Sequence, residues 1–197
     1  MEKGSFVRIN YIGRIKQTKE VFDEGKNIPI IVGEGFVIKG LDEELEKMNI
    51  GEKKIVEIPP EKAFGNRDPK LIKLIPLSEF KKNNTLPYPG MIIRANGLYG
   101  RVLSVESGRV KVDFNHPLAG KVLEYEIEIT EEIKDTDAKV KALFEFFTGI
   151  KEVETKISEN SVEIKVKQQI PEHVKQRFSS AVKKYLNFKE VIISEVF

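Results

Sequence analysis

Cysteine and tryptophan are absent from this chain of 197 residues, and histidine occurs only at His116 and His173. Without thiols there is no disulfide, no thiolate nucleophile and no Cys-type metal site. Two histidines far apart in sequence give no metal-ligand spacing, and no Ser/His/Asp set for nucleophilic catalysis takes shape. Neither sign of charge dominates: 33 Lys and Arg face 31 Asp and Glu, a net of +2. That balance offers no case for binding nucleic acid or an anionic membrane. Short pairs such as Lys81-Lys82 and Lys183-Lys184 read as solvated surface. No apolar run approaches the roughly 20 residues of a membrane span, and the N-terminus lacks a signal peptide's apolar core. A cytoplasmic protein without a bound metal is expected.

What is present is a charged but well-cored chain. Charged residues make up 32% and hydrophobic residues 40%; the former exceeds the about 25% typical of soluble proteins. The length allows one large domain or two to three small ones. Abundant Lys, Glu and Ile, with no Cys or Trp, is the composition of a thermophile's chain.

Hydrophobic alternation predicts a half-buried strand over residues 5–12, with Val7, Ile9 and Tyr11 on one face. The stretch from Gly13 to Thr18 continues it after a bend, and Lys19 to Lys26 reads as a loop around Phe22. Leu41, Leu45 and Met48 recur at helical spacing after a glycine-rich bend, and Lys53 to Ile58 is a strand closed by Pro59-Pro60. Between Leu71 and Phe114 come a strand candidate, a helical turn at Leu77–Lys82 and three short β segments. Asn96-Gly97 and Ser107-Gly108 punctuate those segments as hairpin turns. Leu123, Tyr125, Ile127 and Ile129 then alternate strictly with Glu124, Glu126 and Glu128. Such a one-sided strand belongs in the same antiparallel sheet as the first, which makes residues 72–116 an insertion. The remaining residues read as α-β-β-α-β. Asp135 or Asp137 caps the first helix, Gly149 ends it, and Pro171-Glu172 opens the second.

Four pieces stand in a fixed order: Tyr11, Phe22-Asp23, the step Val37-Ile38-Lys39-Gly40, and Ala63-Phe64-Gly65. Together they resemble the signature of FKBP-type peptidyl-prolyl isomerases. The insertion, with Asn115-His116-Pro117-Leu118-Ala119-Gly120 leading back into the last sheet strand, resembles SlyD-type members, and the extra C-terminal part resembles long archaeal ones. The resemblance implies an α+β fold: an FKBP-type curved antiparallel sheet over a short helix, a small inserted β-rich module, and a C-terminal α-β-β-α-β domain. The implied domains are an isomerase domain over 1–71 and 117–131, an insert-in-flap chaperone domain over 72–116, and a C-terminal domain over 132–197.

It also implies a site without cofactor. Tyr11, Asp23, Ile38 and Phe64 would act on the substrate, and Phe22, Ile28, Ile30, Val37, Leu41, Leu118 and Tyr125 would line the proline hollow. Two positions depart from the family pattern. Leu41 stands where many small members have tryptophan, as is common in SlyD-like members, and Phe64 stands where the family has tyrosine. The lost hydroxyl forgoes a hydrogen bond of roughly 0.5–1.5 kcal/mol, so modest isomerase activity is expected. In the insert, Leu86, Tyr88, Met91, Ile92, Leu98, Tyr99 and Val102 concentrate more apolar surface than so small a module can bury, which suits capture of unfolded segments. The expected partners are unfolded or proline-containing polypeptides, with no nucleic acid and no membrane. A homodimer through the C-terminal domain is also expected, because Phe144, Phe146 and Phe147 exceed what one helix stripe needs. The competing expectation is a holdase whose pocket is vestigial.

Overall fold

The computed structural model describes residues 1–196. The chain forms two compact units, one of Met1–Ile58 with the chain from Val122 onward, the other of Pro59–Lys121. The first opens with β1 (Phe6–Ile15), β2 (Val21–Ile31), α1 (Lys39–Leu45) and β3 (Lys53–Ile58). The second contains β4 (Ile72–Pro76), α2 (Leu77–Lys82), β5 (Ile92–Ala95), β6 (Leu98–Glu106) and β7 (Arg109–Asp113). The first unit resumes with β8 (Leu123–Glu132), α3 (Thr136–Thr148), β9 (Glu154–Ile157), β10 (Ser161–Val166), α4 (Glu172–Leu186) and β11 (Glu190–Glu195).

The principal sheet runs β2-β1-β8-β3, antiparallel throughout. Leu123, Tyr125, Ile127 and Ile129 of β8 are buried, while the intervening glutamates stay half-exposed. On that outer side Lys53 and Arg14 pair with Glu126 at 2.6 and 3.5 Å. Leu41, Leu45 and Met48 are buried with the inner face. The fold is thus α+β, a curved antiparallel sheet with a short helix, as expected. Within it, β1 continues through Gly13 to Ile15, and the stretch from Val21 to Lys26, expected as loop, is the first half of β2. Its run Asp23-Glu24-Gly25-Lys26-Asn27 has no alternation because the β1–β2 register shifts twice there, between Ile9 and Tyr11 and between Gly13 and Arg14.

The C-terminal stretch was expected as a separate domain, but it shares a core with the sheet. Phe6, Ile31 and Ile133 join Val140, Leu143, Phe144, Val162, Ile164, Phe178 and Val182 in one apolar cluster. Asp135 caps α3 by accepting from the Ala138 N–H at 2.9 Å, and Gly149 ends it with φ +75°. β10 lies between β9, antiparallel, and β11, parallel, with α4 as the crossover.

In the second unit the sheet order is β4-β7-β6-β5, over a core of Phe80, Val102, Val110 and Val112. The unit begins and ends further out than 72 and 116, because residues 59–71 bond to 113–120. Arg67 pairs with Asp113 at 2.6 Å, and the Gly120 N–H donates to the Gly65 carbonyl at 2.8 Å. Asp68 and Asn115 exchange two hydrogen bonds of 2.8 and 3.0 Å.

Candidate active site

Across the principal sheet, Gly13 of β1 stands opposite Asp23 of β2 and Tyr125 of β8. A Cβ on Gly13 would come within 2.9 Å of both the Phe22 and the Tyr125 rings, so only glycine lets them close over the strand. Those rings meet edge to face, centroids 5.8 Å apart at 85°. Tyr11 lies opposite Gly25, where a Cβ would sit 2.5 Å from the Tyr11 ring and 2.7 Å from Ile28. The Tyr11 ring is 6.2 Å from that of Tyr125, and its hydroxyl donates to Asp23 Oδ2 at 3.2 Å. Burial, then the Asp23 charge and that hydrogen bond, push the Tyr11 phenol up to about 12. Burial, followed by the Asp23 charge and Tyr11, pushes Tyr125 up as well. Both phenols are therefore neutral donors near neutral pH.

The glycine bend carries the other expected site residues of this unit. Gly33 and Gly35 have φ of +75° and +76°. Their N–H groups donate to the two carboxylate oxygens of Asp42 at 2.7 and 2.8 Å, and Asp42 is itself buried in the first turn of α1. Ile38 caps that helix in an extended conformation, its carbonyl accepting from the Leu41 and Asp42 N–H groups at 3.0 Å. Its own N–H meets no acceptor among the described residues. Leu41 and Ile30 are each 2% exposed, whereas Val37, Ile38, Ile28 and Phe22 are half-buried. A depression of about 500 Å³ lies around Asn10, Glu24, Lys53, Glu126 and Glu128. Its lining mixes these charged groups with Ile12 and Ile127, shares Tyr11 and Gly25 with the candidate site, and includes none of Phe22, Ile38, Leu41 and Tyr125.

Phe64 and Leu118 belong to the second unit. There the Phe64 ring stacks on His116, centroids 4.4 Å apart and 1° from parallel, and the Leu118 N–H donates to His116 Nδ1 at 3.2 Å. Of the residues expected to meet clients, Leu86 is 79% exposed and Tyr88, Ile92, Leu98 and Tyr99 are each more than half exposed. Val102 is a correction: at 1% exposed it is part of the module's core, and Met91 packs against that core half-buried. The period of β6 explains this, since Gly100 and Val102 face inward while Tyr99 and Leu103 face outward. β5 is a sheet edge, as strand addition requires.

Sequence reasoning passed over Gly13, Gly25, Asp42 and the stacking of His116. A glycine inside an alternating run is the signal that something approaches its backbone closely, and Gly13 carried it. Nothing local marked Asp42, whose partners lie on a bend that only the fold brings round.

Among the described residues no group of acids and histidines is placed to hold a metal, and no helix is long and apolar enough to cross a membrane. The expected residues of the first unit are thus neutral phenols, a phenyl ring, aliphatic side chains and a backbone donor, with Asp23 held by Tyr11. Comparison with known proteins gives the chain a family. The model described as FKBP-type peptidyl-prolyl cis-trans isomerase matches residues 1–89, and that described as FKBP26, IF domain matches 73–118. A short-type peptidyl-prolyl cis-trans isomerase of Methanocaldococcus jannaschii is 37% identical over 146 residues, 66% of this chain and 93% of that one. A probable FKBP-type 16 kDa peptidyl-prolyl cis-trans isomerase of Pseudomonas fluorescens is 34% identical, covering 51% of this chain and 69% of that one. The SlyD isomerase of Aeromonas hydrophila is 32% identical, over 50% and 48%. The chain belongs to the FKBP-type peptidyl-prolyl cis-trans isomerase family, with SlyD-like and archaeal relatives, and is an isomerase of that type.

Proposed function

We propose that this isomerase turns over X-Pro bonds in unfolded polypeptides and that its inserted unit acts as a chaperone by holding client segments. Resonance gives the prolyl amide a rotational barrier of about 18–20 kcal/mol. Twisting the bond breaks that resonance and lowers the charge separation of the amide. A dry hollow that binds the twisted form better than the planar one accelerates exchange, at about 1.4 kcal/mol per tenfold. In this reading Ile30 and Leu41 lie beneath the proline ring, and Phe22, Ile28, Val37 and Tyr125 surround it. The Ile38 N–H bonds a substrate carbonyl, and Tyr11 with Asp23 presents a fixed dipole to the twisting one. Phe64 and Leu118, in the second unit, are not part of this proposal.

The observation that carries the reading is the Phe22–Tyr125–Tyr11 cluster closed over Gly13 and Gly25 and tied to Asp23. A protease-coupled assay on an X-Pro peptide tests it. Phe22→Ala should lower kcat/KM by about tenfold or more. Asp23→Ala, which frees the Tyr11 hydroxyl, should cost roughly threefold to tenfold, the equivalent of one hydrogen bond. No acceleration by the wild type would instead favour a pure holdase, a reading supported by the exposure of Leu86, Tyr88 and Tyr99. The proposal includes a cytoplasmic setting and a homodimer through the C-terminal stretch. Sedimentation across a concentration series tests the dimer, and a constant monomer mass would remove it.

A further inference from the structure

The bend that carries Val37 and Ile38 is held from two sides. On the inner side Asp42 grips Gly33 and Gly35. On the other, the C-terminal layer closes over the two residues that the glycines leave pointing outward. Phe36 lies in an aromatic cage, its ring centroid 4.6 Å from Phe146, 6.4 Å from Phe147 and 6.0 Å from Tyr185. Glu34 accepts from Lys184 Nζ at 2.9 Å, and the same ammonium donates to the Tyr185 hydroxyl at 2.8 Å. Both α3 and α4 therefore contact a four-residue bend that ends one position before Val37.

The same layer reaches the opposite side of the candidate site. Glu145, buried on α3, accepts from Arg8 Nη2 at 2.8 Å. Arg8 Nη1 in turn donates to the Asn27 carbonyl at 2.8 Å. Asn27 has φ +58° and its N–H is bound by Asn10 Oδ1 at 2.8 Å, fixing the irregular part of β2 between Gly25 and Ile28. A bend without secondary structure and a strand with a shifted register are the two least self-supporting segments of the site. Each has an anchor in residues 132–196.

We infer that the C-terminal layer is a brace of the isomerase site, in which Phe36 and the Glu34–Lys184 pair are positioning residues for the Ile38 N–H. The role rests on the isomerase reading above. It gives the layer a part in the reaction without any of its residues touching substrate. Ile38 would bond the substrate carbonyl in planar and twisted states alike, so loosening its support weakens binding of both. The loss belongs in KM rather than kcat.

The test uses the full chain with Phe36→Ala, Phe36→Leu and Lys184→Ala, each assayed on the X-Pro peptide and by the backbone amide chemical shifts of Val37 and Ile38. Phe36→Ala should raise KM by about threefold to tenfold with kcat within about twofold, and should move both amide resonances. Phe36→Leu, which refills much of the cage, should recover most of the wild-type KM. Lys184→Ala is exposed and cannot compromise folding of the core; it should move the same resonances in the same direction by less. Wild-type turnover with variants whose KM and amide shifts stay unchanged, even at lowered thermal midpoints, overturns the brace and leaves the isomerase intact. Absent wild-type turnover overturns the isomerase reading, and the amide shifts alone then decide for or against the brace.

Discussion

Single atoms decide the shape of the candidate site. The hydrogen on Gly13 is replaced in every other residue by a carbon that would stand 2.9 Å from two rings at once. Both rings would have to shift together, because each also packs on the other. Gly13→Ala should therefore lower stability by about 1–3 kcal/mol, as overpacking does, and lower kcat/KM with it; thermal unfolding beside the peptide assay checks both. Tyr11 gives a second, independent prediction. Its phenol holds its proton to about 12 in the folded chain against 10.0 in an unfolded one. Folding thus favours the protonated form, a contribution complete below pH 10 and lost as pH rises through about 12. Tyr11→Phe removes it, so the variant's urea midpoint should fall less steeply than the wild type's between those pH values. Parallel slopes would show that Tyr11 titrates alike in both states.

At the scale of elements, strands and helices with regular periods were legible and irregular ones were not. The alternation from Leu123 to Ile129 gave β8 and its buried face, and Asp135 with Gly149 bracketed α3. The first half of β2 was hidden because its residues answer to a shifted register rather than to a period of two. Asp23 and Phe22 could be named only through the family resemblance, and the glycines that make room for their neighbours were not named at all. The neck that extends the compact unit beyond residues 72–116 was hidden for a related reason: short polar contacts there leave no hydrophobic pattern. Those contacts make a prediction of their own. Burial alone would raise the Asp113 pKa, but hydrogen bonds from the Asn115 N–H at 2.9 Å and side chain at 2.7 Å, with Arg67 at 2.6 Å, outweigh it and hold the carboxyl low. Its contribution is present above the ordinary carboxylate range and disappears as pH falls through the lowered value. Amides of β4 and β7 should therefore lose hydrogen-exchange protection on acidification. Asp113→Asn should show the weaker protection already at neutral pH.

For the whole molecule the question is what the insertion adds. Ile58, just before the second unit, pairs in the principal sheet with Leu123, two residues after it. The sheet therefore closes without anything that lies between them. Further in, Ile72 pairs with Asp113, and the Phe114 N–H donates to the Leu71 carbonyl at 3.0 Å, so the ends of residues 72–116 lie side by side. A few glycines can bridge that gap. The shortened chain keeps Tyr11, Phe22, Asp23, Ile38, Leu41 and Tyr125, and loses the exposed Leu86, Tyr88, Ile92, Leu98 and Tyr99. On the proposed site a short X-Pro peptide needs only the former, and its kcat/KM should stay within about threefold of the wild type. An unfolded protein presents each proline rarely and at low concentration, and a holding surface converts that encounter into an intramolecular one. Catalysis of a proline-limited refolding reaction should accordingly fall by about tenfold or more on deletion, since effective concentrations at a tethered site reach the millimolar range. Equal losses in the two assays would rule out this division of labour, leaving the insert as a structural part of the isomerase alone.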